Sequence, residues 1–245
     1  MNDSVLRRDE GEVCVLTLHR PDSLNALDTA TFEALDAHFA DLEAQADTIG
    51  CVVLRGSGRA FCAGADLKAM AGVTVDARYK PGIVERLARL PQPVIAAVHG
   101  ACYTGGLEMA LACDMILADT SARFADTHGR WGLIGAWGMS QRLPRRIGPS
   151  AAKRMMLSAQ PIDGTEAHRL GLVDMLAEAG GLDAMVMDFA AKVVANSRYT
   201  NLYVKRALAA TEGMNIDAAL AWEAENYPGR SPDHHERIAR FAKKD

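Results

Sequence analysis

Residues 94–114 read VIAAVHGACYTGGLEMALACD. The five apolar residues Val94 to Val98 have the length and composition of a buried strand; His99 and Gly100 end it, and Gly105-Gly106 open a run of helical character. A helix beginning near Gly105 leaves its first-turn backbone N–H groups without intrahelical partners, free to point at an oxygen or an anion. Glu108 lies one turn further on, followed by the apolar Met109-Ala110-Leu111-Ala112-Cys113. Desolvation there would raise its pKa toward that of a general acid or base. The alternative is a first-turn glutamate stabilised by the helix dipole. His99 has no partner at ligand spacing and reads as structural.

The same design recurs upstream, where residues 52–68 read VVLRGSGRAFCAGADLK. A buried strand again runs through small residues into a helix start and leaves N–H groups near Ala65 unpaired. Taken alone, this could be a plain strand-to-helix turn. Two such turns together can supply the pair of preorganised donors that an oxyanion hole needs, where one lost donor costs ~3 kcal/mol.

Further out, the strand-like runs Val13 to Leu18, Cys51 to Leu54, Val94 to Val98 and Met115 to Leu117 alternate with helical patterns. In Thr31 to Ala46, for example, apolar residues recur at Phe32, Leu35, Phe39 and Leu42. This alternation predicts an α/β fold with a mostly buried sheet covered by helices. Beyond Pro149 the strand signal nearly vanishes, and helices are expected near 150–158, 164–169, 182–196, 200–211, 215–225 and 232–242. The expected organisation is an α/β core over 1–175 and a helical C-terminal region over 176–245.

Composition narrows the function classes. The 245 residues carry 27 basic and 31 acidic side chains, a formal charge of −4, and 49% are hydrophobic. That excludes a disordered chain and offers no basic excess for nucleic acid. Five cysteines without a CxxC pair suggest neither disulfides nor a zinc site, so a reducing compartment, the cytoplasm, is expected. The charged N-terminal stretch MNDSVLRRDEGEV does not read as a secretion signal, and the apolar stretch from Val94 to Ala118 is too interrupted for a membrane span.

Asn25-Ala26-Leu27, RAFCAGADLK at 59–68, PQPVIAAVHG at 91–100, GGLEMALACD at 105–114 and SQRLPRRIG at 140–148 resemble, in order and spacing, the crotonase superfamily of enoyl-CoA hydratases and isomerases. The resemblance runs from about Leu16 to Val173. It implies a crotonase fold with a repeated ββα core, a C-terminal trimerisation region, and a homotrimer or dimer of trimers. It also implies an acyl-CoA thioester substrate, with coenzyme A present only as part of that substrate and no metal or other cofactor. By the same resemblance, Ala65 and Gly105 fall on the oxyanion-hole positions. Leu24, Ala26, Ala63, Ala65, Asp66, Leu67 and Lys68 fall on the path of the CoA and pantetheine, although a lysine such as Lys68 can also be merely solvated.

Glu108 falls on the first of two glutamates that hydratases of this superfamily use. The second is expected twenty residues on, and His128 stands there. Three readings follow: His128 is the second acid/base, Glu108 works alone, or the site binds acyl-CoA without catalysis. The first makes the protein an enoyl-CoA hydratase of fatty-acid or related acyl-CoA metabolism; the second makes it a single-base isomerase or another enolate enzyme. Asp126 reads first as a turn cap and alternatively as a partner of His128. Trp137 and Met139, in a loop where the superfamily carries small residues, either reshape the acyl chamber or fill the core.

Overall fold

The computed structural model describes residues 3–70 and 78–243. In chain order the strands are β1 (Val5–Glu10), β2 (Val13–Leu18), β3 (Cys51–Gly56), β4 (Ala60–Cys62), β5 (Val94–Val98), β6 (Ala101–Tyr103), β7 (Met115–Asp119), β8 (Arg123–Ala125), β9 (Ile162–Asp163) and β10 (Met175–Ala177). The helices are α1 (Thr29–Ala44), α2 (Leu67–Met70), α3 (Tyr79–Arg89), α4 (Gly105–Ala112), α5 (Met139–Ile147), α6 (Pro149–Ser158), α7 (Gly164–Arg169), α8 (Leu182–Ala195), α9 (Arg198–Thr211), α10 (Ile216–Asn226) and α11 (His234–Phe241).

Among the described residues, a six-stranded sheet runs β1-β2-β3-β5-β7-β10 and a four-stranded one runs β4-β6-β8-β9. Apart from the antiparallel β1–β2 and β8–β9 pairs, the neighbours are parallel. The strand pairs β3–β4, β5–β6 and β7–β8 each leave the large sheet for the small one before the next helix. This is the repeated ββα core that the resemblance implies.

The large sheet is covered on both faces, and strand parity decides which residue meets which cover. Val52 and Leu54 of β3, with Val94, Ala96 and Val98 of β5, share one cluster with Phe32, Phe39, Val84 and Leu107 of α1, α3 and α4. The intervening Cys51, Val53, Ile95 and Ala97 pack against Leu182, Val186 and Ala190 of α8. A strand buried on both sides reads as a continuous apolar run, as the central strands here do. The first strand, β1, is different: its Arg7, Arg8, Asp9 and Glu10 belong to a strand at the sheet's edge, where charge protects unpaired backbone, so apolar pattern alone does not announce it.

Helices were expected at α1 and α6 to α11 and are found there with ends within a few residues. Asp28 caps α1 by accepting from the Thr31 N–H (2.8 Å) and hydroxyl (2.7 Å). Helices α9, α10 and α11 bury none of their residues within one chain. No helix among the described residues is long and apolar enough to cross a membrane.

The contact that seats the central helix is tight. A Cβ on Gly106 would stand 2.3 Å from the Cys62 carbonyl oxygen, so α4 lies directly on the backbone of β4. Gly106→Ala is expected to cost about 3 kcal/mol, whereas Gly82→Ala, in α3 with open space around the added methyl, is expected to be neutral or to stabilise by up to about 1 kcal/mol. Paired thermal melts check this; equal melting temperatures for the two variants would contradict the packing argument.

Candidate active site

Helix α4 is buried along its whole length, and Glu108 in its first turn is 1% exposed. Its carboxylate is nevertheless supplied with donors. Oε1 accepts the backbone N–H groups of Trp137 (2.9 Å) and Met139 (3.1 Å), while Oε2 lies 3.8 Å from His128 Nε2. Burial pushes the Glu108 pKa up, and the Asp126 charge adds to that; the two backbone donors and His128 pull it back only in part, so it stays above the ordinary carboxylate value.

His128 opens a 3-10 turn, His128–Trp131, just after β8. Its Nδ1 lies 2.6 Å from Asp126 Oδ1, which also accepts the His128 backbone N–H at 3.1 Å. Asp126 is therefore both the turn cap and the imidazole's partner. Burial pulls the His128 pKa down, but the hydrogen bond and charge of Asp126, with the charge of Glu108, outweigh it and leave the pKa raised. Gly135 closes over the ring: a Cβ there would stand 2.8 Å from Cε1 and 3.1 Å from Nδ1.

The two strand-to-helix turns meet beside this pair. A Cβ on Gly64, whose φ is +106°, would lie 3.3 Å from the Gly105 nitrogen, so the turns abut. The Leu27–Ala65 bridge uses the Gly64 carbonyl (2.8 Å) and the Asp66 N–H (3.0 Å), leaving the Ala65 N–H on the other side of the chain. No hydrogen bond among the described residues occupies the N–H of Ala65 or of Gly105. The entry to α4 is held by Thr104 in the left-handed region (φ 52°), whose hydroxyl meets that of Thr127 at 2.5 Å and whose N–H donates to Ala125 O at 2.8 Å. Ala65, Gly105, Glu108 and His128 line one cavity of about 830 Å³. Two free N–H donors beside two proton-carrying side chains can stabilise an oxyanion while protons move at neighbouring carbons.

Ala26, Ala63, Asp66, Leu67 and Lys68 line the same cavity; Leu24 does not, and contributes its carbonyl to the Ala63 N–H at 2.9 Å. Although burial works against ionisation of Asp66, Arg20 Nη2 at 3.0 Å and the backbone N–H groups of Ala69 and Lys68 hold its pKa low. Its carboxylate thus builds the turn as well as facing the cavity. Asn25, at φ 56°, donates to Ser57 O and Ala60 O (both 2.8 Å) and locks the 21–27 loop onto the β3–β4 connection.

The cations Lys80 and Arg130 also line the cavity, and sequence reasoning did not single them out. Nothing in their spacing distinguishes them from surface charge. Of the two bulky loop residues, Met139 is core at 1% exposure. Trp137 both lines the cavity and packs edge-on to Phe32, with centroids 5.2 Å apart; its ring lies so near Gly105 that a Cβ there would come within 2.4 Å. His99 stays outside the cavity lining, with Nε2 2.9 Å from Gly58 O, consistent with a structural role.

The sequence profile of the family described as Enoyl-CoA hydratase/isomerase matches residues 8–244. The short-chain-enoyl-CoA hydratase of Clostridium acetobutylicum is 35% identical over 92% of this chain and 88% of its own length. The 1,2-epoxyphenylacetyl-CoA isomerase of Escherichia coli is 31% identical over 100% of this chain and 97% of its own. The crystal structure of an enoyl-CoA hydratase from Bacillus anthracis superposes with a TM-score of 0.93 at 30% identity, covering 98% of this chain and 96% of that one.

The raised Glu108 pKa makes a stability prediction. Its folded-state pKa lies above its unfolded one, so the stability linked to the protonated carboxyl is present at low pH and lost as pH rises through the folded pKa. Glu108→Gln keeps the acceptor for the Trp137 and Met139 N–H groups without the charge. It should match the native protein at pH values below the ordinary carboxylate pKa and be the more stable of the two near pH 8, the difference opening as pH rises. Denaturant titrations at low pH and at pH 8 test this, and a variant less stable at pH 8 would contradict it.

Proposed function

The chain belongs to the enoyl-CoA hydratase/isomerase family of enzymes, and we propose that its own reaction is the addition of water to the double bond of a 2-enoyl-CoA thioester. The observation that carries the proposal is the approach of Glu108 Oε2 to His128 Nε2, 3.8 Å apart, beside two unpaired backbone donors. That separation is too long for a direct hydrogen bond and short enough for one water to touch both groups.

In this reading the thioester oxygen lies between the Ala65 and Gly105 N–H groups. Ionised Glu108 takes a proton from water as the water oxygen bonds to the β-carbon. The π electrons move toward the carbonyl, and the enolate oxygen is held by the two N–H donors. Re-forming the carbonyl drives the α-carbon to take a proton from protonated His128. Water has then supplied hydroxyl to one carbon, and an equal proton count remains in the site: Glu108 holds the proton that His128 has given up. Relay of that proton through a water that touches both groups resets the pair.

The thioester supplies the electrophile, so the reading needs no cofactor besides the CoA of the substrate. Lys68, Lys80 and Arg130 give the cavity local positive charge suited to CoA phosphates. Trp137 beside Gly105, with Leu133 and Ile134, walls the side facing the acyl group. The free, buried thiols suit a reducing compartment, and we place the protein in the cytoplasm, acting in fatty-acid or related acyl-CoA metabolism. Helices α9 to α11 expose Leu208, Ile216, Leu220 and Phe241, an apolar surface that supports assembly as a homotrimer or dimer of trimers.

Hydration of crotonyl-CoA and longer 2-enoyl-CoAs, followed as loss of the enoyl thioester absorbance, tests the reaction. Glu108→Gln and His128→Gln should each lower kcat by about 10²- to 10⁴-fold. The pH profile should be bell-shaped, with an acid limb above the ordinary carboxylate pKa and an alkaline limb above that of ordinary histidine. Double-bond migration in 3-enoyl-CoA without any hydration would replace this reading by a single-base isomerase. Binding of acyl-CoA with no turnover of any enoyl-CoA would leave only a binding protein. Light scattering should give three or six chains, reduced to one by Leu208→Glu with Leu220→Glu; a monomeric native protein would remove the assembly proposal.

A further inference from the structure

The imidazole of His128 is gripped from several sides. Asp126, 3% exposed at the end of β8, takes Nδ1 at 2.6 Å and anchors the ring's own backbone N–H at 3.1 Å. Gly135 lies flat against the ring edge, where a single added methyl carbon would collide with Cε1. Nε2 is left facing Glu108 Oε2. The titratable groups that act on the ring are Asp126 from the strand end and Glu108 from α4. Arg130, two residues on, turns its guanidinium to Ala159 O at 2.5 Å.

We propose that Asp126 is a positioning residue for the reaction: it fixes His128 as the Nδ1–H tautomer and, with it, forms a net-neutral proton donor whose Nε2–H takes the place of a protonated carboxyl group. This rests on the reading of His128 as the second proton-carrying group. The charge arithmetic is what makes the substitution workable. A protonated glutamic acid at this position would be neutral and would offer one O–H. An aspartate paired with an imidazolium is also neutral as a unit, and offers one N–H at Nε2. An imidazolium without Asp126 would place an uncompensated cation beside the buried Glu108 and favour a direct ion pair, removing the base. A neutral imidazole without Asp126 prefers the Nε2–H tautomer and would hold its proton too tightly to give to carbon. After the proton leaves Nε2, the carboxylate of Asp126 keeps Nδ1 protonated, so Nε2 carries the lone pair that accepts the proton back from Glu108.

The test uses the intact protein with isotopically labelled histidine, the His128 signal being identified by its loss in His128→Gln. In the native protein the neutral ring should be the Nδ1–H tautomer; a neutral ring protonated at Nε2 overturns the proposal without any variant having to fold. In Asp126→Asn the titration midpoint of His128 should fall by about one pH unit. The variant should lose 10- to 100-fold in kcat with KM within twofold, and the alkaline limb of the kcat profile should move to lower pH with the His128 midpoint. A residue that only capped the turn would lower the melting temperature and leave tautomer, midpoint and limb in place, and that result also overturns the proposal. The hydration reading fails separately, if His128→Gln retains native turnover.

Discussion

A carboxylate that is almost wholly removed from water is the constraint on which the rest of the molecule depends. Burying Glu108 on α4 would cost several kcal/mol if it were left bare, so the fold has to bring donors to it. They come from the loop that leads into α5. Helix α5 begins at Met139, its N-cap is Gly138, and it receives no side-chain cap; Glu108 Oε1 accepts its first N–H instead. The carboxylate carried in the first turn of α4 thereby also satisfies the N-terminus of α5, where a negative charge is favoured. Arg142 on the next turn fastens the same loop by donating to Trp137 O and to Glu85 of α3. A group held this firmly at one oxygen has its other oxygen aimed, and that oxygen faces His128.

The convergence of the two donor turns follows from sheet order. Strands β3 and β5 are parallel neighbours in the large sheet, with Val52 opposite Val94, and β4 and β6 are neighbours in the small one. Each strand pair follows the same path from one sheet to the other, so the turns that follow, forty residues apart in sequence, end side by side. Their approach is closer than side chains allow. Gly64 and Gly106 stand where a Cβ would strike the backbone of the opposite segment, and Gly105 where it would strike Trp137. The glycines here are conditions for contact, and the free N–H groups are a by-product of chains that meet at their turns.

Much of this was legible in the residues, for identifiable reasons. The central strands and α1 announce themselves because their periodicity reports burial directly, and α4 because a glycine pair precedes a run that is apolar except for Glu108. The short strands β4, β6 and β8 do not, since three residues in a small sheet carry no period, and α5 is masked by Pro144 and three arginines. At the site, Glu108 stood out as a charge in an apolar segment, and His128 as a departure from the pattern that the resemblance implies. Lys80 and Arg130 were invisible because a cavity-lining cation and a solvated one look alike in sequence. Asp126 was visible but ambiguous: at two residues' spacing a carboxylate can cap a turn or hold a ring, and the contacts to the His128 backbone N–H and, at 2.6 Å, to Nδ1 show that it does both.

Whole-chain charge illustrates the same limit from the opposite direction. A net charge of −4 argues against a polyanion as ligand, yet the cavity rim carries Lys68, Lys80 and Arg130, while Asp66, the acidic residue nearest Lys68 there, is engaged by Arg20. Electrostatic recognition is settled within a Debye length of roughly 8 Å at physiological ionic strength, so the charges lining the cavity decide it and the whole-chain sum does not. Deeper in, the balance is stricter. Glu108, Asp126 and His128 bring two carboxylates and one imidazole together in a largely buried cluster. With the ring protonated, the Asp126–His128 pair cancels internally and only the charge of Glu108 remains, held by two backbone N–H groups. Within this cluster a single uncompensated anion therefore remains, and backbone N–H groups rather than a paired cation offset it. An uncharged acyl group with one polarised oxygen is the kind of occupant that this electrostatic balance admits.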